Sequence, residues 1–175
     1  RPSSSAAAST LRAVELNPYS SKYRSGVGSI YLEELRGVAS VVVAARESGK
    51  DTAQYTESLR GSFTDAESAF KEAIEFAPDI YANYVNLASV YVLAGLTLDE
   101  ELYQRVFPVA ERGLQAKPLG IDIRVQLARA LLGVGRTDEA IETLERCMEI
   151  TPGGVSPALL LADVHQKQGR PADAL

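Results

Sequence analysis

The sequence predicts an all-helical stack of antiparallel helix pairs, and three observations predict it. The dipeptide Gly135-Arg136 returns 34 residues later as Gly169-Arg170, together with Leu127-Ala128 as Leu161-Ala162, Ala140 as Ala174 and Pro118 as Pro152. Apolar residues recur at spacings of four and three, as in Tyr31, Leu35, Val38, Val42 and Ala45, which is the period of one helix face. No stretch alternates apolar and polar residues between hairpin turns as strands would. A repeat of this length makes a helix–turn–helix unit that cannot bury both its faces alone, so neighbouring units must stack.

Bulk composition narrows the function classes. A chain of 175 residues suits one domain or a short repeat array. Its formal net charge of -5 argues against a general nucleic-acid binder, because phosphate binding draws on clustered Lys and Arg. The single cysteine, Cys147, precludes an internal disulfide; this fits a reducing, cytoplasmic setting and leaves an oxidising one open. The longest apolar run, Val38 to Ala45, is too short to cross a bilayer, and the opening residues lack the apolar core of a signal peptide. The chain starts without Met and stops at Pro171–Leu175, where the pattern enters another helix, so both ends read as cut from a longer, potentially membrane-anchored protein. Truncated repeat ends leave apolar faces uncapped, through which self-association is expected.

Taken in order, the elements are these. Ala13 and Pro18 close a lone helix over 5–18. An enlarged unit spans 21–78: Val27, Gly28 and Tyr31 open its first helix, which runs on to about Ala45. Glu47-Ser48-Gly49-Lys50-Asp51 then reads as a turn. Thr52 to Arg60 is expected to be helical, either separate from or continuous with the helix of Ala66, Phe70 and Ala73 that Pro78 closes. Thr64 with Glu67 suggests a capping box at that helix start. The unit over 81–118 begins with Tyr84, Leu87, Ala88, Tyr91 and Gly95. Its closing Pro118 comes late, the extra length falls at Leu96 to Phe107, and Pro108 is expected to kink the second helix or begin a new segment. A regular unit spans 121–152, and a truncated one spans 155–175.

The unit starting at Ile121 has Leu127, Ala128, Leu131, Gly135, Ala140, Leu144, Cys147 and Pro152 in order. This pattern resembles the tetratricopeptide repeat, most closely over 81–175 and more weakly over 1–80. Arg124 departs from it, standing where a bulky apolar residue is usual. By the family's spacing about 26 residues are inserted between Tyr31 and Ala66. The resemblance implies a right-handed superhelical solenoid whose first helices line a concave groove. Carried over, the groove residues are Val85, Asn86 and Ser89, then Gln126 and Arg129, then Asp163, Gln166 and Lys167. Apolar Val92, Leu93 and Leu132 would form its floor. Asn86 and Arg129 are the side chains suited to gripping a peptide backbone or carboxylate. Ser25, Ser29 and Asp122 stand where chaperone-tail adaptors carry the Lys, Asn and Lys of a carboxylate clamp, so that ligand is not expected.

No motif carries catalysis, a cofactor or a metal. His165, the only histidine, takes a Tyr position between helices and reads as a satisfied structural residue. Cys147 reads as a small buried thiol. Gly153-Gly154 lacks the preceding strand and following Lys of a phosphate loop and reads as a turn. Asp99-Glu100-Glu101 and Asp138-Glu139 sit at helix starts, where acids favour the dipole.

The expected function is a non-catalytic interaction scaffold for a protein or peptide partner. An alternative comes from Asn17-Pro18-Tyr19 followed by the enlarged unit. That combination is similar to the soluble tails of bacterial O-antigen ligase or polymerase-like membrane proteins, which implies a module recruiting partners beside a glycan-transferring enzyme. The register itself is testable. Ala128→Leu should overpack the helix pair and lower stability by roughly 1–3 kcal/mol in denaturant unfolding. An unchanged midpoint would mean that Ala128 does not face the partner helix.

Overall fold

The computed structural model describes residues 5–169, with side chains from residue 8 onward. Eight α-helices follow one another among them: α1 (Ser5–Leu16), α2 (Ser21–Glu47), α3 (Thr56–Phe76), α4 (Tyr81–Thr97), α5 (Val106–Ala116), α6 (Ile121–Gly133), α7 (Thr137–Ile150) and α8 (Val155–Lys167). Short 3₁₀ turns, Ala53–Tyr55 and Glu100–Arg105, precede α3 and α5. The expected helix after Gly169 falls outside the described residues. Among the described residues there is no strand, and no helix is long and apolar enough to cross a membrane.

Pairs α2–α3, α4–α5 and α6–α7 form the units, and each first helix also packs on the next, α2 on α4 and α4 on α6. Small residues permit the approach. A methyl added at Gly28 of α2 would lie 2.9 Å from the Phe70 ring of α3. One at Gly113 of α5 would lie 3.0 Å from Tyr84. Ala66, Ala73, Ala88, Ala128 and Ala140 are fully buried on the same principle.

Units are joined by one recurring turn. Before each proline the residue is extended, with φ -147°, -143° and -135° at Ala77, Lys117 and Thr151, as the proline ring demands. Three residues on, an N–H returns to the same carbonyl: Ser20 to Asn17, Ile80 to Ala77, Gly120 to Lys117 and Gly154 to Thr151. At the first three of these turns the proline carbonyl is then taken by a side chain one turn into the next helix. Arg24 Nε donates to Pro18 O at 2.9 Å, Tyr84 OH to Pro78 O at 2.7 Å, and Arg124 Nη2 to Pro118 O at 2.8 Å. Arg124 thus fills its unusual position with an equivalent hydrogen bond, and its Nη1 reaches Gly120 O as well.

The insertion in the first unit lengthens helices instead of adding a domain. Helices α2 and α3, 27 and 21 residues long, run together as an extended hairpin turned at Gly49, whose φ is +67°. From Thr56 onward α3 is unbroken, so Thr52 to Arg60 is continuous with the following helix after one 3₁₀ turn. The expected capping box is therefore corrected: Thr64 lies mid-helix and its hydroxyl donates to Arg60 O at 2.9 Å. Near the hairpin's far end, Arg46 donates to Leu96 O and Thr97 O, both at 2.8 Å, and so caps the C-terminus of α4. Pro108 falls in the first turn of α5 and begins a new segment without kinking one.

The second insertion supplies Tyr103. Its ring lies against two helices at once: methyls added at Gly95 and Gly133 would meet it at 2.7 and 2.4 Å. Held from both sides, the ring has no direction in which to yield. Gly95→Ala or Gly133→Ala should therefore lower stability by roughly 1–3 kcal/mol, although alanine is the better helix former. By contrast Gly37 and Gly61, with nothing within 4 Å, should each gain about 0.5–1 kcal/mol on substitution by Ala. Thermal unfolding of the four variants measures both signs; a gain at Gly95 or Gly133 would refute the wedge.

Candidate partner-binding surface

The first helices present a mixed face. Asn86 and Gln126 are half-buried, Arg129 is exposed, and Val85, Val92, Leu93 and Leu132 are half-buried apolar residues on the same helices. Among the described residues Arg129 has neither an ion pair nor a hydrogen bond. Ser89 is only 6 % exposed, so it packs between helices and is withdrawn from the accessible set. On α8, Asp163 and Lys167 bind each other, Nζ to Oδ2 at 2.8 Å, and border a 280 Å³ cavity with Leu132 and Thr137. Gln166 is exposed beside them. Helix α4 joins Asn86 to the α6 residues through direct packing, whereas α8 reaches the array chiefly through α7.

One polar residue here was not anticipated. Asn83 is 1 % exposed and accepts from Ser25 Oγ at 2.6 Å, which ties α4 to α2; its Nδ2 has no partner among the described residues. A polar residue on an otherwise apolar helix face was the available signal. The two residues considered for chemistry are interior. Cys147 is fully buried, and that burial pushes its thiol up, away from the reactive thiolate. His165 is 6 % exposed with Nδ1 unpartnered among the described residues, so the expected satisfaction of its ring is not found there.

The tetratricopeptide-repeat family matches at residues 121–153 and again at 155–175. Residues 121–175 carry tetratricopeptide repeats, and the fold is an all-α solenoid of that type. No curated protein sequence matches it. Solved structures do. The crystal structure of MamA superposes with a TM-score of 0.66 at 16 % identity, over 96 % of this chain and 80 % of that one. TTC0263, a thermophilic TPR protein in Thermus thermophilus, gives 0.69 at 14 % identity over 96 % and 75 %. The first TPR domain of human RPAP3 gives 0.54 at 11 % identity over 82 % and 99 %. At such identities the likeness is one of fold. Stacked repeats of this kind form extended surfaces for protein interaction, and the array is built as such a scaffold.

On the opposite side of this tetratricopeptide solenoid, grooves lie between successive second helices, over the first helix beneath. Arg24, Val27 and Tyr31 floor the α1–α3 groove; Tyr84, Leu87 and Tyr91 the α3–α5 groove; Arg124, Leu127 and Leu131 the α5–α7 groove. Beside the middle one, Glu67 Oε1 accepts from Lys71 Nζ at 2.7 Å, Tyr91 OH at 2.8 Å and Arg105 Nη1 at 2.9 Å. Burial alone would raise the Glu67 carboxyl, but the bonds from Lys71 and Tyr91 and the charges of Lys71 and Arg105 outweigh it and hold it below 4.5. Burial and the same contact raise the Tyr91 hydroxyl. A lowered folded value means that Glu67 adds stability above its ordinary value of 4.5, lost as pH falls through the folded one. Glu67→Gln should lower neutral-pH stability by about 1–2 kcal/mol and flatten the acid limb of the stability–pH curve. A variant with an undiminished acid limb would place that dependence on other carboxylates.

Proposed function

We propose that the array binds an extended segment of a partner protein along the face of its first helices, the concave side of a tetratricopeptide solenoid. Asn86, Gln126 and Arg129 are the polar grips, and Val85, Val92, Leu93 and Leu132 are the apolar floor. The observation that carries this reading is Arg129: exposed, with no partner among the described residues, on a face where Asp163 and Lys167 neutralise each other and Asp122 stands apart at the start of α6. A guanidinium so placed favours a partner with a carboxylate, which it can bind through two parallel hydrogen bonds. Asn86 offers both a donor and an acceptor to a peptide backbone. Gln166 extends the polar rim, while Ser89 supports from below.

A second reading rests on a sequence resemblance alone. Asn17-Pro18-Tyr19 followed by the long α2–α3 hairpin is similar to the soluble tails of bacterial O-antigen ligase or polymerase-like membrane proteins. In that setting the same face would recruit or assemble components beside a glycan-transferring enzyme. It predicts that the full-length parent stays with membranes through an alkaline wash; release into the wash would end it.

The groove reading is checked by screening acidic peptides against the array and measuring affinity by anisotropy. Arg129→Glu and Asn86→Ala should each weaken a bound peptide about tenfold, equivalent to about 1.4 kcal/mol. A change under twofold for both would move the site elsewhere.

A further inference from the structure

We propose that the groove between α3 and α5, on the side away from the first-helix face, is a second docking site. It takes a peptide in which a large apolar side chain adjoins a carboxylate. The cavity measures 400 Å³, at the lower end of the range of sites that enclose ligands. Its floor is aromatic and aliphatic: Tyr84, Leu87 and Tyr91 are each 3 % exposed. Both tyrosine hydroxyls are already used by the scaffold, Tyr84 on Pro78 O and Tyr91 on Glu67. This closely packed floor leaves no hydroxyl seeking a partner, and the accessible apolar surface above it comes from Pro108, exposed, and Val109, half-buried.

The charge at the rim selects the ligand. Arg112 lies over the Tyr84 ring, its guanidinium carbon 5.4 Å from the centroid, and it has no ion pair or hydrogen bond among the described residues. Contact with the ring face holds the guanidinium beside the cavity, and its N–H groups are free to meet a carboxylate. At the other end Arg105 lies over Tyr91, but Glu67 already engages it and Lys71; the one carboxylate lining the groove, Glu75, makes no ion pair with Arg112.

The two neighbouring grooves lack this feature. In the α1–α3 groove the one cation, Arg24, pairs with Glu72 and faces further carboxylates at Glu15 and Asp65. In the α5–α7 groove Arg124 is held by carbonyls, and Arg136 and Arg146 pair with Glu139 and Glu149. On a chain of net charge -5, the α3–α5 groove therefore joins an apolar floor to an uncommitted cation. That pairing matches an apolar residue beside a carboxylate, whether the carboxylate is a chain terminus or an acidic side chain.

The test uses ¹H–¹⁵N spectra of the described chain titrated with three probes: acetyl-Gly-Leu-Phe with a free C-terminus, its C-terminal amide, and acetyl-Leu-Phe-Glu-amide. At least one acid-bearing probe should shift amides of α3 and α5 at least tenfold more tightly than the neutral amide. If only the first does so, the carboxylate is a terminus; if the third does, a side chain suffices. Arg112→Gln should abolish the preference for acid, whereas Arg60→Gln, exposed on the far part of α3, should leave it intact. Circular dichroism melting of both variants confirms that they fold. Equal binding of acid and amide, shifts confined to α4 and α6, or an undiminished preference in Arg112→Gln would each overturn the proposal.

Discussion

The turn closed by proline is the constraint on which the rest of the structure depends. At Asn17-Pro18, Ala77-Pro78, Lys117-Pro118 and Thr151-Pro152 the chain is forced out of helix at the same point and re-enters it after the same backbone hydrogen bond. The phase of each new helix follows. At the first three turns a side chain one turn in meets the proline carbonyl, and four residues later a Gly or Ala faces the partner helix. Gly28 under Phe70 and the buried Ala88 and Ala128 occupy that place in successive units. An aliphatic or aromatic residue a further turn along completes the floor between second helices. Shifting the turn by one residue would rotate every such contact by about 100°, following the helical period of 3.6 residues. Units can therefore differ widely in length while keeping one packing scheme.

What was legible in the sequence follows from that repetition. The long first helix, the turn at Gly49 and the small interface residues were visible, because each is set by a short local pattern. Local likeness also misled. Thr64 and Glu67 have the spacing of a capping box, yet the helix already runs from Thr56, and a mid-helix threonine satisfies its hydroxyl on the carbonyl four residues back. Arg124 looked like a departure from the pattern. A long guanidinium and a tyrosine hydroxyl can reach the same carbonyl, an equivalence of hydrogen bonding that residue-type matching does not register.

The candidate surface was less legible, for a different reason. Whether a polar residue on a first helix is a grip or a filler depends on its neighbours in the adjacent helix. Ser89 and Asn86 are three positions apart on α4; packing buries the first and leaves the second half accessible. Asn83 turned out to be the residue tied across to α2. Uncommitted charge is likewise a property of the assembled molecule. Arg112 and Arg129 stand out because most other arginines found carbonyls, carboxylates or both, and the remaining described one, Arg60, lines none of the grooves between second helices. No feature of their own sequence neighbourhoods separates them from Arg124 or Arg146.

The two insertions show how a solenoid grows without covering either face of its stacked helices. Each first helix ends at the edge opposite the proline turns, and both additions lie on that edge. Arg46 from the lengthened hairpin caps α4 there, and Tyr103 from the second insertion lies against Gly95 and Gly133 near the ends of α4 and α6. In a quasi-one-dimensional stack, stability is the sum of each unit and its contacts with the next, so material added along one edge strengthens neighbours without altering the register of the stack. The Tyr103 ring does this for two units at once, filling between glycines the space that a side chain on either helix would otherwise take. The first-helix face, with Arg129, and the second-helix face, with Arg112, are both left open by this arrangement. Growth on either face would have covered Arg129 or Arg112. Growth along the edge instead braces the helices that position them both.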